Sequence, residues 1–118
     1  MTFRRFEDLD IFRLAEEIAD RLWKIVCTWK YFEKDTVGKQ LVSAADSVGA
    51  NIAEGAGRGT PKDNQRFVRI IRGSLNETKF WLRRANEREL LNTSQIDKIK
   101  PLIDELAPRL NAYLKSIK

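Results

Sequence analysis

Eight basic residues stand against three acidic ones between Lys62 and Arg88, an excess of positive charge equal to the formal net charge of the whole chain, +5. At helical spacing, Phe67, Ile70, Ile71, Ser74, Leu75, Thr78, Trp81, Leu82 and Ala85 cluster on one face of this stretch. Lys62, Arg69, Arg72, Lys79 and Arg83 point the other way, and Arg66 adds to them. A row of cations on the wet side of a helix suits contact with a polyanion, and phosphate is the commonest such partner. The same pattern also describes a well-solvated bundle helix. Arg58 and Lys62 flank the start of this helix, where free backbone N–H groups can hold one backbone phosphate. Phe80, with Asn76 and Glu87 on the outer side, is consistent with base stacking or with a subunit contact. Sequence-specific base reading is not indicated, because no helix-turn-helix spacing, zinc finger or RNA-binding sheet signature is present.

Other chemistries have little to stand on. The chain has no histidine and one cysteine, Cys27, which excludes an intrachain disulfide and a cysteine metal cage and removes the commonest general base. Cys27 has no evident base beside it and reads as inert. Glu54 and Glu77 could serve as paired carboxylates. A buried ion-pair and hydrogen-bond cluster with Ser47 and Asn51 is the more economical reading. The glycines from Gly55 to Gly59 invite a phosphate-loop reading, but the loop follows a helix and lacks the Gly-Lys-Ser/Thr ending. The expectation is a protein that is not an enzyme and carries no metal or cofactor.

Four amphipathic helices would position these residues, in a single domain spanning 1–118. The first runs from about Asp8 to Trp29. With Ile11 and Leu14, its apolar positions cover roughly 220° of the wheel, where about 100° suffices to face a core. The surplus faces either another copy of the chain or the connection Lys30 to Asp35, whose Tyr31 and Phe32 could fold back over it. The second helix starts near Asp35 or Thr36 and ends around Glu54 to Gly57, with Val37, Leu41, Ala44, Val48 and Ile52 as its core stripe. Gln40, Ser43, Ser47, Asn51 and Glu54 form a polar row beside that stripe. This row should be partly buried, with hydrogen-bond partners on the next helix. Gly38, Ala45, Gly49, Ala53 and Ala56 on the opposite flank would let a neighbouring helix approach closely. Thr60 caps the third helix, Pro61 occupies its first position, and it ends near Glu89 to Asn92. The fourth begins at Thr93 or Ser94 and contains Pro101 and Pro108 on one outer side, which implies a bent helix or one broken near Ile99. Short connections imply an all-α, antiparallel up-down-up-down four-helix bundle. No apolar run approaches the roughly 18 residues of a membrane span, and Thr2 to Asp10 is unlike a secretory signal, so the expected location is cytoplasmic.

The run Ser47-Val48-Gly49-Ala50-Asn51-Ile52-Ala53-Glu54-Gly55-Ala56-Gly57-Arg58, followed by Gly73-Ser74-Leu75-Asn76-Glu77, resembles the 23S rRNA intervening-sequence proteins of bacteria. The opening Phe6-Glu7-Asp8-Leu9 and the Gln40 region fit as well, so the resemblance covers nearly the entire chain. It implies an antiparallel four-helix bundle, commonly a homopentamer, encoded in some bacteria within insertions in large-subunit ribosomal RNA. A structurally similar relative is the accessory protein of diversity-generating retroelements, which binds nucleic acid and a reverse transcriptase. Ser47, Asn51, Glu54, Gly55, Arg58, Ser74 and Glu77 match the family's signature and read as architectural. The prolines of the fourth helix bear on the bundle's end and hence on an assembly contact. Two functions remain open: a non-catalytic homo-oligomer that binds RNA or DNA through Arg58, Lys62, Arg66, Arg69, Arg72, Lys79 and Arg83, or an oligomeric protein-binding adaptor, for a reverse transcriptase or a ribosome-associated partner, whose cations serve solubility.

Overall fold

The computed structural model describes residues 5–117; residues 1–4 and 118 lie outside it. A 3-10 turn at Phe6–Asp8 leads into α1, Asp10–Val26. After a short turn, Tyr31–Glu33 begins a helical stretch that passes through a π-helical segment, Lys34–Gly38, into α2, Lys39–Ala56. Helices α3, Pro61–Glu87, and α4, Thr93–Ser116, complete an all-α four-helix bundle. Among the described residues, no helix is long and apolar enough to cross a membrane.

Adjacent helices register end to end. A Cβ at Gly38 would lie 2.6 Å from Val26 Cγ1, and one at Gly49 would lie 3.7 Å from Phe12 Cε1, so α1 and α2 run in opposite directions. Asp10 at the start of α1 pairs with Arg109 near the end of α4 at 2.7 Å. The Trp29 indole donates to the Leu90 carbonyl at 3.1 Å, closing the end of the bundle where α1 and α3 both finish. Leu22, Leu41, Val68, Leu106 and Leu110 are wholly buried at the centre. The buried Thr78 hydroxyl stays satisfied by donating to the Ser74 carbonyl one turn back.

Two expectations about the first half of the chain require correction. The second helical stretch starts at Tyr31, so Asp35 and Thr36 are interior residues, and the Thr36 hydroxyl donates back to the Phe32 carbonyl at 2.7 Å. The connection from α1 is therefore too short to cover anything. Tyr31 and Phe32 are 81% and 72% exposed rather than folded over the apolar arc. Most of that arc is satisfied inside the chain, because α1 packs against both α2 and α4 and buries Ile11 and Leu14. Trp23 remains 58% exposed.

The later caps follow the sequence closely. Thr60 Oγ1 accepts from the Asp63 N–H with Pro61 next in line, and Asn92 forms a reciprocal capping box with Gln95. Pro101 and Pro108 both lie in one continuous α4, on its exposed side. At the end of α3 the Leu90 N–H bonds to Ala85 O and the Glu89 N–H to Asn86 O, a Schellman closure in which Glu89 takes a φ of 61°. That left-handed position suits glycine, and a side chain there carries a cost of about 1–2 kcal/mol.

Glu89→Gly should therefore stabilise the chain by about 1 kcal/mol, read from the urea midpoint; an unchanged or lower midpoint would contradict the strain. A second prediction concerns the groove between α1 and α2, lined by small residues together with Asp20 and Asp46. Partial desolvation in the groove, and then repulsion from Asp20, raise the Asp46 carboxyl above its ordinary value. With the folded value above the unfolded one, ionisation of Asp46 opposes folding, and the stability held by its protonated form is lost as pH rises through the folded value. Asp46→Asn should raise the thermal midpoint at pH 7, and the gain should vanish on acidification toward about pH 4. A gain that persists in acid would show that some other effect is responsible.

Candidate nucleic-acid interface

Helix α3 supplies the candidate surface because its sequence is sharply two-faced. Phe67, Val68, Ile71, Leu75, Thr78 and Ala85 are buried. Trp81 and Leu82 are half-buried, whereas Ile70, expected on the core face, sits at its edge and is 40% exposed. Lys62, Arg66, Arg69, Lys79 and Arg83 are exposed along the opposite side. From Lys62 to Arg83 the row extends about 30 Å at the helical rise, close to one turn of a duplex.

Partners of these cations lie at the surface rather than in the core. Arg66 lies 3.7 Å from Asp63, Arg83 3.1 Å from Glu87, and Arg58 2.9 Å from Glu54, each pair open to solvent. Exposed pairs of this kind hold together by no more than about 1 kcal/mol and yield readily to a phosphate. Among the described residues Lys62, Arg69 and Lys79 form no ion pair. Arg72 differs from the rest: it is half-buried, and its guanidinium donates to the Asn111 side chain of α4, which fixes it without neutralising it.

Structure divides the row into two parts. At the start of α3, Arg58 and Arg66 both stand over the Phe67 ring, with their guanidinium carbons 4.8 and 5.2 Å from its centroid. This brings Arg58 from the preceding loop alongside the first turn of α3, where Lys62 also lies. Lys79 and Arg83 instead border a groove shared with α4, together with Lys100. The contribution of Lys100 was not evident from the sequence, because it depends on how α3 and α4 pair; the alternation Lys98-Ile99-Lys100 was its only local sign.

The signature residues are placed differently from expectation. Gln40, Ser43 and Glu54 are exposed, and Ser47 and Asn51 are only half-buried. Ser47 donates to the Ser43 carbonyl at 3.0 Å and Asn51 to the Ser47 carbonyl at 2.8 Å, so the polar row satisfies itself on α2 rather than across to the next helix. Glu54 pairs with Arg58, while Glu77 is exposed and has no ion pair among the described residues; the buried cluster of Glu54, Glu77, Ser47 and Asn51 does not form. Ser74 is half-buried, and its carbonyl accepts the Thr78 hydroxyl. Among the described residues no group of three His, Cys, Asp or Glu side chains could hold a metal ion. Gly55 does have an architectural role. A Cβ there would lie 2.7 Å from Phe67 Cβ and 2.9 Å from Asn64 Oδ1, so its absence lets α2 and α3 close together below the Arg58–Phe67 contact.

An all-α four-helix bundle with a cationic flank on its third helix is the class that fold and surface define. Residues 7–112 match the family model for the 23S rRNA-intervening sequence protein, and the chain belongs to that family. None of the curated proteins compared with the chain matches it.

Gly55→Ala should destabilise the bundle by about 1–3 kcal/mol through overpacking against Phe67. Gly73, also on a helix, faces open space, and Gly73→Ala should instead stabilise by about 0.5–1 kcal/mol. Chemical denaturation of the two variants side by side checks both signs.

Proposed function

We propose that this chain is a non-catalytic, homo-oligomeric helical bundle of the cytoplasm that binds RNA or DNA through phosphate contacts along α3. The observation that carries this reading is a cationic row about 30 Å long in which Lys62, Arg69 and Lys79 form no ion pair among the described residues. Arg66 and Arg83 reinforce it through pairs weak enough to exchange for phosphate, and Arg58 and Lys62 flank the first turn of α3. Arg72 serves mainly as a strut to Asn111. The family's name, with its reference to 23S rRNA, is compatible with an RNA-related role. No cofactor is needed for contacts of this kind. Assembly into a ring, of which a pentamer is the form the resemblance implies, would present several such rows to one nucleic acid and make binding multivalent.

A second reading is an oligomeric adaptor for a protein partner, and a specific observation favours it. Trp23, Tyr31, Phe32 and Phe80 are all exposed aromatics of the type enriched in protein interfaces.

Salt-titrated binding to RNA and to DNA, with mass measured by light scattering in the same buffer, separates the two. On the first reading the mass is a multiple of 13.7 kDa, and affinity falls steeply with salt. Lys62→Glu combined with Arg69→Glu should then lower affinity at least about tenfold and reduce the salt slope by about 2, with helicity unchanged. Absence of binding at low salt, or binding indifferent to salt and to both substitutions, would leave the adaptor reading. A monomeric mass would refute assembly on either one.

A further inference from the structure

Helices α3 and α4 are tied by side-chain hydrogen bonds at the end away from the loop that joins them. At the tied end Asn64 donates to the Tyr113 hydroxyl oxygen at 3.0 Å, Gln65 to the Ile117 carbonyl at 3.3 Å, and Arg72 to Asn111. Over their whole length the two helices approach each other far less than α2 and α3 do, and toward their connecting loop the side chains leave open space. A groove of about 410 Å³ opens there, floored by Leu82, Leu91, Ile96, Ile99 and Ile103. Lys79, Arg83, Lys100 and a single carboxylate, Asp104, also line it. Asp104 is engaged by Lys100 at 2.7 Å, and Arg83 turns to Glu87 at 3.1 Å, which leaves Lys79 with no ion pair among the described residues.

An apolar trough beside an uncommitted ammonium group is complementary to an amphiphilic anion. We propose that the groove between α3 and α4 binds a single-chain carboxylate of the fatty-acid type, with its acyl chain along Leu82, Ile96 and Ile99 and its head at Lys79. The volume lies in the small-molecule range of about 300–1,000 Å³. The groove shares Lys79 and Arg83 with the nucleic-acid row and differs from it in its hydrocarbon floor, from which bare phosphate gains nothing. Burial of the chain supplies the driving force, and Lys79 selects the charged head over a neutral one.

Isothermal titration of the full chain with dodecanoate, kept below its micellar concentration at low ionic strength, tests this. Saturable binding of one molecule per chain is expected. Lys79→Glu should weaken it about tenfold, and Ile96→Trp, which fills the trough from a half-buried position, should abolish it. Circular dichroism checks that both variants stay helical. If Ile96→Trp fails to fold, the surface change Lys79→Glu decides alone: unchanged affinity overturns the site. Absence of saturable binding by the parent chain also overturns it. So does cosedimentation with phosphatidylglycerol vesicles without dodecanoate binding, which would assign the groove to a lipid surface. A ligand-free oligomer that refuses dodecanoate and is dissociated by Ile96→Trp would assign the groove to a second copy of the chain and equally refute the proposal.

Discussion

Burial of one flank of α3 is the constraint on which the rest of the molecule depends. Phe67, Val68, Ile71 and Leu75 are each nearly or wholly removed from water, and burial of each such side chain favours folding by about 1.5–3 kcal/mol. None of the ion pairs made by the row of cations exceeds about 1 kcal/mol. Core packing therefore sets the rotation of the helix, and the cations face outward because the other direction is taken. Turning α3 by one residue would carry Val68 toward water and bring Arg69 toward the core, where an unpaired charge costs several kcal/mol. The direction of the positive surface is thus set by the core beneath it.

That dependence explains which parts of the architecture could be read from the sequence. The core stripe from Val37 to Ile52, the Thr60-Pro61 start of α3 and the outward placement of both prolines in α4 all follow from local periodicity and capping chemistry. The start of the second helical stretch did not, because Lys30 offers no capping side chain while Asp35 and Thr36 look like caps. A π-helical segment carries the chain past those residues and turns the adjacent Val37 and Gly38 both inward. The groove between α3 and α4 was illegible for a different reason. It arises from how the side chains of two consecutive helices meet on either side of their connecting loop, and each helix taken alone looks fully amphipathic.

The polar row of α2 is instructive in the same way. A stripe of serine, asparagine and glutamate beside a core suggests cross-helix hydrogen bonds, since buried polar groups must be satisfied. Ser47 and Asn51 instead use carbonyls one turn back on their own helix, a solution open to short polar side chains at any helical position. Their presence therefore places no demand on α3. The nearby close approach rests on Gly55 and the Phe67 ring, and Arg58 and Arg66 close over that ring from outside. One apolar contact accordingly sets both the approach of α2 and α3 at this end and the position of two cations at the head of the row.

The distribution of charge over the whole bundle adds direction to this arrangement. Glu16, Asp20 and Asp46 line the α1–α2 groove, and that groove has no basic residue in its lining. The α3 surface is rich in arginine and lysine. A polyanion approaching at low ionic strength is repelled from the first face and drawn to the second, so encounter is oriented before any contact forms. The bias acts only within about one Debye length, near 8 Å at physiological salt. Orientation then depends on short-range contacts with the α3 row itself. The acidic groove disfavours a polyanion at that one face, and the polarity of the surface follows from helices whose rotations were already fixed by their cores.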